Sequence, residues 1–463
     1  MGRKNQVGPP LQGTKMNWID QTVFYHIYPL GLGGTQFHND FSQPPVDRLG
    51  ALHPWLEHMA GMGINALYIG PLFESVWHGY DTVDYYNIDR RLGTNQTFAR
   101  FSARAHGFGI KVVLDAVFNH VGRGFWAFRD VLEKRQASRF CGWFSGLQFE
   151  GDNSFHDGLT YACWAGHESL VKLNLSNEEV RSHLFGAVKQ WIEDYHIDGL
   201  RLDAADVMDK DFLSALAGFS KNLKPDFWLM GEVVHGDYTQ WVRLDRLDSV
   251  TNYIAYKGLY SSFNDHNMFE IAYTLQQQFG VDGKLRGMGL YSFVDNHDVS
   301  RAASILNNPA ALLPMYQLMF SIPGIPSIYY GSEFGIRGRK EDKDAALRPA
   351  LDLPGLLAHT ERLDLYEALK KMIRIRKENP AFLTGVYQQL YLTNEQFAFS
   401  RELENGLAIT VINAADHLVS VEIPLGGGQT RFMDLMDTEV VYKVQEGRLR
   451  LELPAYSAKW MLG

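Results

Sequence analysis

At 463 residues and 46% hydrophobic content, the chain can bury a large core and is longer than one simple domain requires. A net charge of -9 and a pI near 6.0 leave no basic surface of the kind nucleic acid needs, and no apolar run reaches the length of a membrane span. The two cysteines, Cys141 and Cys163, make no disulfide framework and are expected as free thiols.

Residues 1–16 are polar and rich in Gly and Pro, lack the apolar stretch of a signal peptide, and read as a disordered leader, with native translation able to begin at Met16. A first strand follows over 22–29, a helical pattern over 46–62, and a second strand over 63–71. The next loop holds His78, Gly79, Tyr80 and Asp81. A helix over 95–107 leads to a strand over 110–117. Residues 121–174 then break the rhythm: they are aromatic, Gly-rich and aperiodic, and too long for an ordinary connection.

Asn177 is placed to cap a helix reaching Tyr195. The rhythm resumes with a strand near 199–203, a helix over 209–222, a strand over 227–233, a helix near 237–245 and a short strand near 250–253. A helix over 265–279, a strand over 289–295, a helix over 308–321, a strand over 326–331 and a last helix over 361–378 complete eight βα units. From residue 380 the texture turns to short alternating runs separated by turn signals such as Gly426 and Gly428. The expected fold class is α/β: a (β/α)8 TIM barrel over 17–120 and 175–379, an inserted domain over 121–174, and a C-terminal antiparallel β-sandwich over 380–463.

Residues 198–206, Asp-Gly-Leu-Arg-Leu-Asp-Ala-Ala-Asp, put Arg201 and Asp203 on one face of a strand and Leu200 and Leu202 on the other. Alone, such a pair is ordinarily a structural salt bridge. Residues 111–120, Lys-Val-Val-Leu-Asp-Ala-Val-Phe-Asn-His, are an apolar run interrupted by Asp115, and a buried carboxylate has to be paired. Residues 227–232 lead apolar residues into Glu232, and residues 291–298 end in His297 and Asp298. In a parallel barrel, C-terminal strand ends converge on one mouth, where active sites of such barrels are built.

These stretches, in this order, resemble the signature regions of the α-amylase superfamily, glycoside hydrolase family 13, and the resemblance extends to residues 63–71, 78–81, 170–174 and 324–333. It implies a retaining hydrolase of α-1,4-glucosidic bonds in starch, maltodextrins and cyclodextrins, with Asp203 as nucleophile, Glu232 as acid and base, and Asp298 as the residue that holds sugar hydroxyls. It further implies sugar contacts from Tyr80, His120, Arg201 and His297, a weaker match for Asp344 and Arg348 at the next sugar, and a supporting role for Asp115. Arg201 is expected to keep Asp203 ionised, and crowding to raise Glu232.

Many family members hold calcium through the residue matching Asn119 and an acidic residue in the motif that here reads Leu-Val-Lys-Leu-Asn, residues 170–174. Lys172 opposes a cation there, so the usual calcium site is not expected and no cofactor is required. A lysine at this position resembles the neopullulanase, cyclomaltodextrinase and maltogenic amylase branch. Against that branch, the chain starts at the first barrel strand, without the N-terminal β domain those enzymes usually carry, and residues 204–207 and 233–237 differ from its pattern. An α-amylase is therefore the first expectation, that branch or a transglycosylase the alternative, and a non-catalytic glucan-binding subunit the remote one. The expected partner is an α-glucan, with neither nucleic acid nor membrane, for a cytoplasmic monomer, or a secreted one had a signal peptide been removed.

Overall fold

The structure, a computed structural model, describes residues 17–426 and 428–463; the leader expected over 1–16 lies outside the described residues. Its first strands are short and mainly apolar, each interruption being a buried or site residue or the edge residue Lys111: β1 (Phe24–Ile27), β2 (Ala66–Ile69), β3 (Lys111–Ala116) and β4 (Gly199–Leu202). They continue with β5 (Trp228–Gly231), β6 (Ser249–Val250), β7 (Tyr291–Ser292) and β8 (Ile325–Tyr329). All are parallel, in the order β6-β5-β4-β3-β2-β1-β8-β7, and a bridge between Thr251 and Tyr291 carries the sheet around towards closure. Continuous apolar runs are what strands buried on both faces require. Inward-pointing Phe24, Ala66, Tyr68, Val113, Trp228, Met230, Tyr291 and Ile325 fill the barrel as one packed cluster.

Helices α1 (His53–Met62), α2 (Asn95–Gly107), α3 (Glu178–Tyr195) and α4 (Lys210–Leu223) cover the outside, and their starts follow local chemistry. Thr94 caps α2 through the amide of Thr97, Asn177 caps α3 through the amides of Glu179 and Val180, and Asp209 caps α4 through the amide of Phe212. After β6 come α5 (Tyr253–Asn264) and α6 (Phe269–Phe279), then α7 (Leu312–Ser321) and α8 (Leu363–Glu378).

Two expected elements differ. The helix near 237–245 is only a 3-10 turn, Tyr238–Gln240, because polar side chains there serve the backbone locally: Asp237 accepts from the amide of Thr239, and Arg246 donates to the carbonyl of Gln240. The strand near 250–253 ends at Val250, and Tyr253 opens α5 instead, with Asn252 accepting from the amide of Ala255.

Within the long excursion, strands His120–Gly122, Cys163–Trp164 and His167–Lys172 form a small antiparallel sheet beside a helix, Trp126–Lys134. Gly122 lets this sheet approach the barrel loops, since a Cβ there would meet the carbonyl oxygen of Asp81 at 2.4 Å. Both cysteines are free. The C-terminal region is an antiparallel eight-stranded sheet running from Val386–Leu392 to Ser457–Leu462. Buried Arg401 joins it to the barrel by donating to the carbonyl of Ser321 at the end of α7, beside buried Arg376 of α8, which donates to the carbonyl of Phe320. Among the described residues, no helix is long and apolar enough to cross a membrane.

At the base of the barrel, buried Asp198 gathers Lys224 at 2.6 Å, His106 at 2.8 Å, Lys111 at 3.0 Å and the amide of Val112 at 2.9 Å. Burial pushes this carboxyl up, but the bonds from His106, Lys224 and Val112 outweigh it and hold the group well below the usual range. Asp198→Ala is expected to lose about 3 kcal/mol of stability at neutral pH by urea denaturation. Because the folded carboxyl is depressed, this contribution is present above the unfolded value of about 4 and disappears as pH falls through the folded one, so the difference between variant and parent should shrink in acid.

Candidate active site

In the parallel register of β3 and β4, Asp115 stands opposite Arg201. Arg201 NH1 donates to Asp115 Oδ1 and to Asp203 Oδ1, both at 2.8 Å, and NH2 lies 2.9 Å from Glu232 Oε1. One buried guanidinium thus serves three carboxylates from three neighbouring strands. Asp115 is further held by the hydroxyls of Tyr68 at 2.8 Å and Tyr80 at 3.1 Å. After Asp203 the chain turns sharply through Ala204, left-handed at φ 49°, and the Ala204 amide donates to Glu232 Oε2 at 3.1 Å.

Burial pushes the Asp203 carboxyl well above the usual range; Arg201 opposes it, while Glu232, Asp115 and Asp298 add to it. Glu232 is raised as well, first by burial and then by Asp298, against Arg201. Arg201 lowers the Asp203 carboxyl, as expected, but its one charge is divided among three carboxylates, and the net direction for the buried group is upward. Asp298 goes the other way. It sits between His297 Nε2 at 3.0 Å and Arg348 NH2 at 3.1 Å, which outweigh burial and hold it far below the usual range. His120, with Nε2 4.0 Å from Asp203 Oδ2 and 3.1 Å from the Tyr80 carbonyl, is pushed down to about 4, chiefly by burial, so its imidazole is neutral at neutral pH.

The structure brings Tyr80, Asp115, His120, Arg201, Asp203, Glu232, His297, Asp298 and Arg348 into one connected cluster. Tyr80 hydrogen-bonds His297, and their rings lie parallel with centroids 5.5 Å apart. Arg348 also donates from Nε to the His297 carbonyl at 3.1 Å and lies over the Tyr28 ring. Asp344 is peripheral: it pairs with Arg348 at 3.2 Å, but its side chain is 64% exposed. Sequence reasoning missed Tyr68, which alternation in β2 turns inward beside Ala66, and Tyr253, whose hydroxyl lies 3.5 Å from Glu232 Oε1 and accepts from Asn296 at 3.0 Å. The cap at Asn252 was the available signal for Tyr253.

Lys172 pairs in register with His120, next to Asn119, and takes part in no ion pair among the described residues. Asn119 Oδ1 is buried without a hydrogen-bond partner. Among the described residues, no three His, Cys, Asp or Glu side chains gather as a metal would need. This donor set does not fit calcium, which takes its six to eight oxygens largely from carboxylates.

The catalytic-domain family described as alpha amylase matches residues 47–352, a span that carries every one of these side chains. The chain belongs to that family. Its relatives include the cyclomaltodextrinase of Thermoanaerobacter pseudethanolicus, 31% identical over 86% of this chain and 70% of that protein. Neopullulanase 2 of Thermoactinomyces vulgaris is 31% identical over 96% of this chain and 78% of that protein. Among solved structures, the ligand-free cyclic α-maltosyl-(1→6)-maltose hydrolase of Arthrobacter globiformis superposes with a TM-score of 0.80 at 25% identity, covering 97% of this chain and 100% of that one. This α-amylase family member is a glycosidase, and its relatives lie in the neopullulanase and cyclomaltodextrinase branch.

Asp115→Asn removes one of the charges that oppose ionisation of Asp203. The Asp203 titration, followed as the acid limb of kcat/KM or by carboxyl NMR, should move to lower pH by about one unit. A limb that stays in place or moves up would contradict the charge sharing described above.

Proposed function

We propose that the protein is a retaining hydrolase of α-1,4-glucosidic bonds that takes cyclodextrins and short maltodextrins in preference to starch. The observation that supports the reading is that one guanidinium holds Asp203 and Glu232 together, the two carboxyls that the family resemblance makes nucleophile and acid. Retaining glycosidases hold their carboxyl pair about 5 to 5.5 Å apart, whereas inverting ones leave a gap of about 6.5 to 9.5 Å for water. The names of the relatives favour the cyclomaltodextrinase and neopullulanase alternative over a plain α-amylase.

In this reading Asp203 attacks the anomeric carbon while Glu232 protonates the departing oxygen. Glu232 then takes a proton from the water that releases the sugar from Asp203. Burial and the charge of Asp298 push both carboxyls up, which favours a proton shared within the pair, and this reading places it on Glu232 at the start. Asp298, kept ionised by His297 and Arg348, accepts from sugar hydroxyls. His120 and His297 supply ring nitrogens to the same sugar, and Tyr80 its face. Arg348, with Asp344, continues towards the next unit. The charge that calcium supplies in many relatives of this fold is assigned to the ammonium of Lys172, and the enzyme is assigned as a monomer.

Product chromatography over time on β-cyclodextrin, maltotriose, pullulan and soluble starch tests the reading. Cyclodextrin should be consumed fastest, with rates unchanged by a chelator, and Asp203→Asn should lower turnover by about four orders of magnitude with the fold intact. Rapid conversion of starch to mixed oligomers with cyclodextrin untouched would return the protein to the α-amylases. Products longer than the maltotriose supplied would indicate transglycosylation.

A further inference from the structure

Exposed aromatic rings gather on two loops at the mouth of the barrel, outside the catalytic cluster. Phe37, 74% exposed, and Trp77, 42% exposed, lie with ring centroids 5.5 Å apart, and the edge of His38 meets Trp77 at 4.3 Å. Apolar surface of this size left in water is unfavourable for the isolated chain. The loops that carry it are nonetheless tightly held. Buried Arg91 donates to the carbonyls of Trp77 at 2.7 Å, Phe37 at 3.0 Å and Gln36 at 3.2 Å, while Asp89 neutralises it at 2.7 Å. Asn39 donates from its amide to the Val76 carbonyl at 2.8 Å and from its side chain to Glu74 at 2.9 Å. A buried ion pair thus fixes two loops so that their rings face solvent side by side.

The patch is continuous with the catalytic cluster. Trp77 precedes His78, whose carbonyl accepts from the Tyr28 hydroxyl at 2.5 Å; the Tyr28 ring lies under Arg348, and Arg348 contacts Asp298. We propose that Phe37, His38 and Trp77 form a stacking subsite for a glucose unit of the α-glucan beyond the units that Asp298 and Arg348 hold, a reading that rests on the proposed function. Pyranose rings present flat apolar C–H faces that pack on aromatic rings, and the line of contacts from Arg348 through Tyr28 to His78 leads from the pocket to this surface. A platform fixed before binding loses little freedom when the sugar arrives.

The test compares kcat/KM on maltoheptaose and maltotriose for the parent, Trp77→Ala and Phe37→Ala, with melting curves and sedimentation on each. The ratio of the two substrates should fall roughly tenfold in Trp77→Ala and by a smaller factor in Phe37→Ala, through KM. An unchanged ratio in folded variants would overturn the subsite; should Trp77→Ala fail to fold, Phe37→Ala, with its exposed ring, decides alone. Loss of self-association in the variants with an unchanged ratio would also overturn it, making the patch a contact between copies. A parent inactive on both oligosaccharides would overturn the proposed function itself, an outcome distinct from activity with an unaltered ratio.

Discussion

Arg201 offers one positive charge to three carboxylates in a place where water cannot make up the difference. In a buried site such a sharing is tolerable only when geometry is good and every partner has further donors. Both conditions follow from the barrel. Asp115, Arg201 and Glu232 come from three strands adjacent in the sheet, with the arginine on the middle one, so the guanidinium reaches left and right without bending its strand. Tyr68 and Tyr80 complete Asp115, and the Ala204 amide completes Glu232. A slip of one residue in β4 would turn Arg201 and Asp203 out towards the helices and abolish the site altogether.

The parts of this arrangement written into local pattern were legible in the sequence. Alternation alone puts Arg201 and Asp203 on one face, and apolar runs ending in polar residues mark the C-terminal ends of β3, β4 and β5. Asn177 announces a helix start in the way any Asn before an apolar-periodic segment does. The resemblance of motifs supplied roles that no pattern could, and it drew Tyr80, His120 and Arg348 towards the same point from loops far apart in the chain.

What escaped depends on tertiary company. Residues 237–245 suggest a helix, yet the polar groups here and at Arg246 bind backbone nearby and leave a 3-10 turn. Residues 250–253 are β-branched and aromatic enough to suggest a strand, but the pairing with β5 runs out at Val250 and Asn252 caps a helix. Tyr253 was lost with that misreading, and with it one of the groups beside Glu232. The raised carboxyl of Asp203 was hidden for a different reason: the motif shows an arginine two residues away and does not show how many other acids use it.

Two carboxyls bound to the same guanidinium would titrate almost alike unless something distinguished their surroundings, and Asp298 acts on both from outside the pair. Arg348 and His297 pin it in the ionised form, so its charge is a fixed feature of the pocket and not a third titrating partner. That charge opposes ionisation of both Asp203 and Glu232 and keeps a proton within the pair. Their remaining neighbours are unlike: Asp203 faces neutral His120, while Glu232 touches the Tyr253 hydroxyl and the Ala204 amide. A proton on Glu232 can be passed to a leaving oxygen while Asp203 keeps its bond to Arg201. A glucose unit bound against Asp298 would cover the remaining open side, and losing that water makes the retained proton still harder to release to solvent. In the proposed reading, substrate binding and readiness of the acid are linked through one carboxylate that itself stays ionised.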